Sequence, residues 1–398
     1  MSRTAVIVDA VRSPMGRGKP GGALSGLHPV DLLAQVLQAL VARSDLDPGT
    51  VDDVLVGCVG GNGEQSGTPG RQAVLAAGWP EHVPAVTIER KCGSGQQALD
   101  FAVQGVVAGA YDIAIAAGIE SMSRVPMGSG RGDADPHGPQ VLARYAPGLV
   151  PQGISAELVA DKWGLSRQAL DAYAARSHAR AAEATASGAF ARELVEVTTP
   201  DGVVTADETI RAGTTAEKLA GLSPAFATSP HAARFPELDW KITAGNSSQL
   251  TDGAAALLVM SEERAAALGL TPRARIVATA VTGDDPLMML TGPIPATHAV
   301  LARAGLSVGD IAAFEVNEAF ASVPLAWQAE FGVPDELLNP RGGAIALGHP
   351  LGASGARLAT TLLGFLEDTG QRYGLQTMCE AGGMANALVL ENLAAGGR

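Results

Sequence analysis

Short apolar runs alternate with longer stretches of helical spacing along this chain, and that alternation predicts an α/β protein. Thr4 to Ala10, Val83 to Ile88, Asp112 to Ala117, Asp252 to Met260, Ile311 to Val316 and Leu375 to Met378 read as strands. Helical patterns follow several of them, from Ser94 to about Gly109 and after the small-residue loop Gly342 to Gly355. A further helical run, in which Ala and charged residues alternate at helical spacing, extends from Ile154 to about Gly188 and is followed by strand-poor loops up to Ala244.

The order of elements repeats at an offset of 260 residues. Ala42-Arg43 answers Ala302-Arg303, Leu46 answers Leu306, Gly49 answers Gly309, Val51 answers Ile311, and Ser94-Gly95 answers Ser354-Gly355. Two copies in one register indicate a duplicated α/β domain and not a solenoid. The expected organisation is a first half from residues 1–123 and 246–272, a second half from 273–398, and a long insertion on the first copy, 124–245. Insertions of that length usually carry function or form a subdomain.

With 398 residues and 46% hydrophobic content, the chain can bury a large core, and 4% aromatic content means packing it from aliphatic and small side chains. The net charge of −13 argues against nucleic acid as a partner. It is unevenly spread: residues 124–249 carry a net −2 and the remainder −11. A nearly neutral middle segment is the better place for an anionic ligand, although an ordinary solvated surface accounts for the same numbers. Three scattered cysteines, no CxxC and no HExxH exclude a disulfide framework and a recognisable metal site. No apolar stretch approaches the roughly 20 residues that span a bilayer, and the strand-like opening leaves no leader segment. A soluble, cytoplasmic protein is expected.

The candidate chemistry sits at strand-to-loop transitions, where open α/β sheets place their sites. Cys92 precedes Gly-Ser-Gly at the start of a helix. The helix N-terminus favours the thiolate, so a lowered pKa and a nucleophilic role are expected there; the bland alternative is an inert buried cysteine. Gly93-Ser-Gly-Gln-Gln-Ala98 also fits the dinucleotide pattern GxGxxA. That pattern needs an acid closing the next strand, whereas Asp112 opens that strand and Glu120 comes late. His349, between Gly348 and Pro350, is placed as a base or hydrogen-bond donor. Asn317 caps a turn or holds a water or an oxyanion. Cys379 is expected to end the last core strand, before Glu-Ala-Gly-Gly.

Together these motifs resemble the thiolase family, the acyl-CoA acetyltransferases, over essentially the whole chain: Cys92-Gly-Ser-Gly, Asn246-Ser-Ser-Gln-Leu-Thr-Asp-Gly-Ala-Ala, and the Asn317, His349 and Cys379 motifs. The resemblance implies duplicated α/β domains with mixed five-stranded sheets in an α-β-α-β-α layering, plus an inserted loop domain that binds coenzyme A. It implies ping-pong chemistry, with Cys92 acylated after activation by His349 and with Cys379 as acid/base. One oxyanion site would be a water held by Asn317 together with His349, the other the N–H groups of Cys92 and Ala381. Ser248, Gln152, Met289 and Phe320 become substrate or coenzyme A contacts, coenzyme A is a co-substrate, no metal is required, and a homodimer or homotetramer is expected. A silent acyl-CoA-binding scaffold and a carrier-protein condensing enzyme are the alternatives; the latter usually pairs its cysteine with two histidines.

Departures from the family pattern bear on the substrate. Glu89 replaces the usual Asn three residues before the nucleophile, Ala381 and Ala385 replace glycines, and Ser223 stands where a basic residue is common. Pro151-Gln152-Gly153 replaces the His-Met-Gly of short-chain biosynthetic enzymes. The chain therefore looks closer to degradative thiolases acting on longer or bulkier 3-ketoacyl-CoAs, with a short-chain acetoacetyl-CoA enzyme as the alternative.

Overall fold

The computed structural model describes residues 3–396. The first half begins with β1 (Ala5–Arg12), the short β2 (Gly16–Arg17), α1 (Pro29–Arg43), β3 (Asp53–Gly57), α2 (Pro69–Ala76), β4 (Ala85–Ile88), α3 (Ser94–Ala108) and β5 (Ile113–Ser121). The middle segment supplies α4 (Gly138–Arg144), α5 (Gln152–Lys162), α6 (Arg167–Ala186), a hairpin of β6 (Val197–Thr199) and β7 (Gly202–Val204), and α7 (Ala216–Ala220). The chain returns to the first half with β8 (Thr251–Ser261) and α8 (Glu262–Ala267). The second half comprises β9 (Ala274–Gly283), α9 (Pro293–Ala304), β10 (Ala313–Val316), α10 (Ser322–Phe331), α11 (Ala344–Leu347), α12 (Leu351–Thr369), β11 (Tyr373–Glu380) and β12 (Met384–Asn392).

The main strands form one mixed sheet in the order β10-β11-β12-β9-β1-β8-β5-β3-β4. It consists of two half-sheets joined edge to edge through Ile7 and Ala274. In each half two or three parallel strands are followed by two antiparallel ones. The first half has five strands; in the second, the counterpart of β4 shrinks to a single bridge between Phe314 and Leu338. The 260-residue repeat holds at the ends of elements: β3 and β10 begin at Asp53 and Ala313, β5 and β11 at Ile113 and Tyr373.

Helices α3 and α12 pack against each other, α3 on the strands of the first half and α12 on those of both, so they form the middle layer. Helices α1 and α2 cover the outer face of the first half, α9 and α10 that of the second. Because β5, β8 and β12 are covered on both faces, nearly every residue in them is buried.

The middle segment differs from expectation in two respects. Its single helical run is two helices, because Gly164 adopts φ +61° after α5 and Ser166 caps α6 by accepting from the Ala169 N–H. Although it interrupts the first copy in sequence, its helices pack on the second, α5 against α10 and α6 against α11. Tyr173 and Ser177 of α6 donate to the carboxylate of Glu318, which also accepts from Asn339 and the Ile345 N–H. Among the described residues no helix is long and apolar enough to cross a membrane.

Candidate active site

The site exists because two helix N-termini approach more closely than side chains would allow. A Cβ on Gly355 of α12 would lie 2.1 Å from the Gln96 nitrogen of α3, and one on Gly95 would lie 2.6 Å from the Gly352 oxygen. Only glycine permits that crossing, which brings the loop before α3 and the loop before α12 together. Glu120, near the end of β5, ties the junction by accepting from the N–H groups of Val59, Gly60 and Gly352 and from the Gln65 amide.

Cys92 occupies the loop into α3. Lys91 before it has φ +47°, a conformation costly for a residue with a side chain. Ser94 stabilises the turn by accepting from the Arg90 N–H and donating to the Lys91 carbonyl. The thiol is buried and faces the N–H groups of Cys92 itself and of Ala381. Sequence reasoning expected a lowered pKa; instead burial, followed by the nearby Glu380 carboxyl, pushes the Cys92 thiol up to about 12, and the N–H groups offset this only in part. Cys92 therefore rests as a thiol.

His349 lies in the loop into α12 and is likewise buried. The Ser354 hydroxyl donates to the Pro350 carbonyl, so it accepts from His349 Nδ1–H at 2.6 Å. That assignment leaves a lone pair on Nε2, which faces Asn317 Nδ2 at 3.4 Å. Burial, followed by the Arg357 charge, lowers the imidazole to about 3, so the ring is neutral and its Nε2 can accept a proton. Asn317 follows β10; its Oδ1 is a buried acceptor without a partner.

Cys379 is not at the end of the last core strand. It pairs within β11 opposite Ala385 of β12, the true last strand, because the Ala381-Gly-Gly that follows it is a tight hairpin turn. Burial and the neighbouring Cys92 and Glu380 hold its thiol well above the usual cysteine range. Replacement of glycine at Ala381 does not strain the turn: the positive φ angles fall on Gly382 and Gly383.

Cys92 and Cys379 are thus brought together, with the Ala381 N–H beside them, and Asn317 is brought to His349. Met289 and Phe320 lie in the same apolar cluster as Cys379 and Ala381, and Phe226 meets Phe320 edge-on. Ser248 donates its backbone N–H to Ala319, and Gln152 opens α5 with its amide nitrogen buried and unpaired. A separate cleft of about 580 Å³ lies between α4 and the Gly382–Gly383 turn, lined by Val141, Tyr145, Leu149, Pro286 and Met384 among others. None of the sequence-predicted site residues lines it. Sequence reasoning also missed Ser354 as the partner of His349, although it stands in the repeated Ser-Gly pair, and it missed Glu380, for which no local signal existed.

The sequence family described as "Thiolase, N-terminal domain" matches residues 5–263, and "Thiolase, C-terminal domain" matches residues 270–392. The chain is 45% identical to the steroid 3-ketoacyl-CoA thiolase FadA6 of Mycobacterium tuberculosis, covering 98% of this chain and 94% of that one. It is 46% identical to a 3-ketoacyl-CoA thiolase of Escherichia coli, covering 98% and 99%. The solved structure of the Bacillus anthracis acetyl-CoA acetyltransferase resembles it with a TM-score of 0.86 and 37% identity, covering 98% of this chain and 99% of that one.

Proposed function

The chain belongs to the thiolase family of acyltransferases, and from that membership we propose that it cleaves 3-ketoacyl-CoAs through an acyl group carried on Cys92. The observation that carries this reading is the neutral His349, whose Nε2 faces Asn317 in the loop before α12, while the crossing of α3 and α12 draws that loop toward the one that carries the buried Cys92. In the first half-reaction the Cys92 proton moves to His349 Nε2 as the sulfur attacks the 3-keto carbon. A thiol at about 12 and an imidazole at about 3 disfavour a preformed ion pair, so this transfer accompanies bond formation. The bond between carbons 2 and 3 then breaks, Cys379 S–H protonates the departing carbanion, and acetyl-CoA leaves. In the second, the Cys379 thiolate takes the proton of the coenzyme A thiol, which attacks the acyl-Cys92 carbonyl, and His349 returns its proton to Cys92. The N–H groups of Cys92 and Ala381 serve one tetrahedral oxyanion, and His349 with a water on Asn317 serves the other carbonyl oxygen.

For the substrate we infer a bulky acyl chain. The steroid name of one relative and the apolar cleft between α4 and the Gly382–Gly383 turn support it, as does Pro151-Gln152 at the start of α5. Residues 124–245 are assigned to holding coenzyme A over the cysteines, with Ser248 and Gln152 toward its arm and Met289 and Phe320 beside the acyl path. The enzyme is assigned as a homo-oligomer on the free edge of β4, where Val86 and, on adjacent α3, Phe101 and Val107 are exposed.

The test is coenzyme A-dependent cleavage of acetoacetyl-CoA, a medium-chain and a polycyclic 3-ketoacyl-CoA, with Cys92→Ala as control. Preference for the polycyclic substrate is expected. Preference for acetoacetyl-CoA overturns the substrate assignment, and turnover by Cys92→Ala overturns the mechanism.

A further inference from the structure

Glu380 is the repeat counterpart of Glu120, 260 residues on, each near or at the end of matched strands β5 and β11. Glu120 is saturated with N–H donors, one of them Gly352, the repeat counterpart of Cys92. Glu380 is fully buried, yet neither of its oxygens has a partner. Its Oε1 presses on the nucleophile loop so closely that a Cβ on Gly93 would lie 1.9 Å from it, and Asn386 of β12 donates to the Gly93 carbonyl alongside. Asp100 of α3, also fully buried with both oxygens unpaired, and Arg90, whose buried Nε is unpaired, act on the same carboxyl. A cluster of buried polar groups that packing has deprived of partners therefore lies behind Cys92. Burying such groups without partners is normally costly, so their presence beside the Cys92 sulfur calls for a function.

We propose that Glu380 is a positioning residue for the two cysteines, its carboxyl setting how readily Cys92 and Cys379 release their thiol protons and suppressing that release when it ionises. The inference rests on the proposed roles of the cysteines. The charged and titratable groups facing Glu380 are Arg90 and Glu89 from the loop before α3, Asp100 from α3, Cys92, and Cys379 on its own strand. Burial holds the carboxyl up at about 8, with Arg90 opposing and Asp100 and Glu89 reinforcing. At neutral pH the group is protonated and leaves the thiols unburdened. Above that range its negative charge raises the cost of either thiolate, so the repeat's structural carboxylate becomes, in the second copy, a brake on activity at alkaline pH.

The test follows carbamidomethylation of Cys92 by iodoacetamide, read by mass spectrometry between about pH 6.5 and 9.5, in wild type and Glu380→Gln. The variant keeps the shape and loses the charge. It is expected to match wild type at the acidic end and to react about tenfold faster near pH 9, where thiol reactivity follows the thiolate fraction. Wild type alone is expected to depart from a tenfold rise per pH unit above about pH 8. A constant ratio between the proteins at every pH overturns the proposal. So does an unbent wild-type slope, which needs no variant to fold. Acylation of wild-type Cys92 by acetyl-CoA is measured in parallel. Its absence overturns the functional reading alone, whereas acylation with an unbent slope overturns the role of Glu380 alone.

Discussion

The two halves of the molecule run in register over the same strands and helices, yet each places a different side chain at the crossing, Cys92 in the first and His349 in the second. The 260-residue repeat sets Cys92 opposite Gly352 and His349 opposite Glu89. In the proposed mechanism the loop before α3 carries the nucleophile and no base, and the loop before α12 the base and no nucleophile. Duplication doubled a scaffold that places a loop at a helix N-terminus, and the glycine crossing of α3 and α12 then turned two half-sites into one. The difference shows that complementarity, and not symmetry, makes this site: each loop is chemically incomplete until the other arrives. The largest effect should come from removing one reagent. Cys92→Ala is expected to lower thiolysis by at least about a thousandfold, with the fold intact by circular dichroism. Cys379→Ala should still be acylated at Cys92 but turn over slowly, which rapid-quench mass spectrometry can resolve. Equal acylation defects in the two variants would refute the division of labour.

The crossing itself is tested by matched glycines. Gly95 and Gly355 are repeat counterparts, but an added Cβ meets backbone at 2.6 Å in the first and 2.1 Å in the second. Gly355→Ala should therefore cost about 3 kcal/mol or more and Gly95→Ala about 2 kcal/mol, compared by denaturant midpoints. A smaller loss at Gly355 would mean that α12 yields more easily than α3.

Much of this comparison is legible in the sequence, and most of what escapes it escapes for one reason. Register, helix starts at Ser94 and the strand before Asn317 follow from local periodicity and spacing, and the thiolase motifs are contiguous in sequence. The break at Gly164–Ser166 is also local, a glycine followed by a capping serine, but the alanine pattern continues across it and hides it. Burial is not local. The helix N-terminus at Cys92 argued for a lowered pKa, but desolvation by residues from both halves outweighs a terminus worth at most about 2 kcal/mol. Docking of α5 and α6 on the second half, and the isolation of Glu380, depend on the same long-range packing.

Buried histidine provides a third contrast, between His349 at the crossing and His178 on α6. Burial lowers them to about 3 and about 4, with Arg357 and Arg211 adding to the effect. Below the ordinary histidine value of 6.5 the unfolded chain binds protons that the native state refuses. These groups therefore leave stability level above pH 6.5 and erode it as pH falls from there toward about 4. At pH 5 the cost is about 2 kcal/mol per ring. His349→Asn should shrink the stability difference between pH 7 and pH 5 by that amount, measured by urea unfolding at each pH. An unchanged difference would mean that the native imidazole titrates like that of the unfolded chain, so that burial does not hold it neutral at pH 5.

The smallest effect is the one that the duplication should leave symmetric. Helices α3 and α12 both end in a glycine of left-handed conformation, Gly109 with φ +78° and Gly370 with φ +65°. Neither contributes to the site, and each is open enough that an added Cβ meets no atom closer than 3.7 Å. The cost of alanine at either place is then purely conformational, about 1 kcal/mol, without the steric term that separates Gly95 from Gly355. Gly109→Ala and Gly370→Ala should lower the denaturation midpoint by equal amounts and leave thiolysis unchanged. Unequal losses would show that one half unfolds before the other, so that the midpoint reports only the weaker copy. Equal losses would establish that the halves still share one cooperative fold, although their chemistry has diverged at the opposite ends of these same helices.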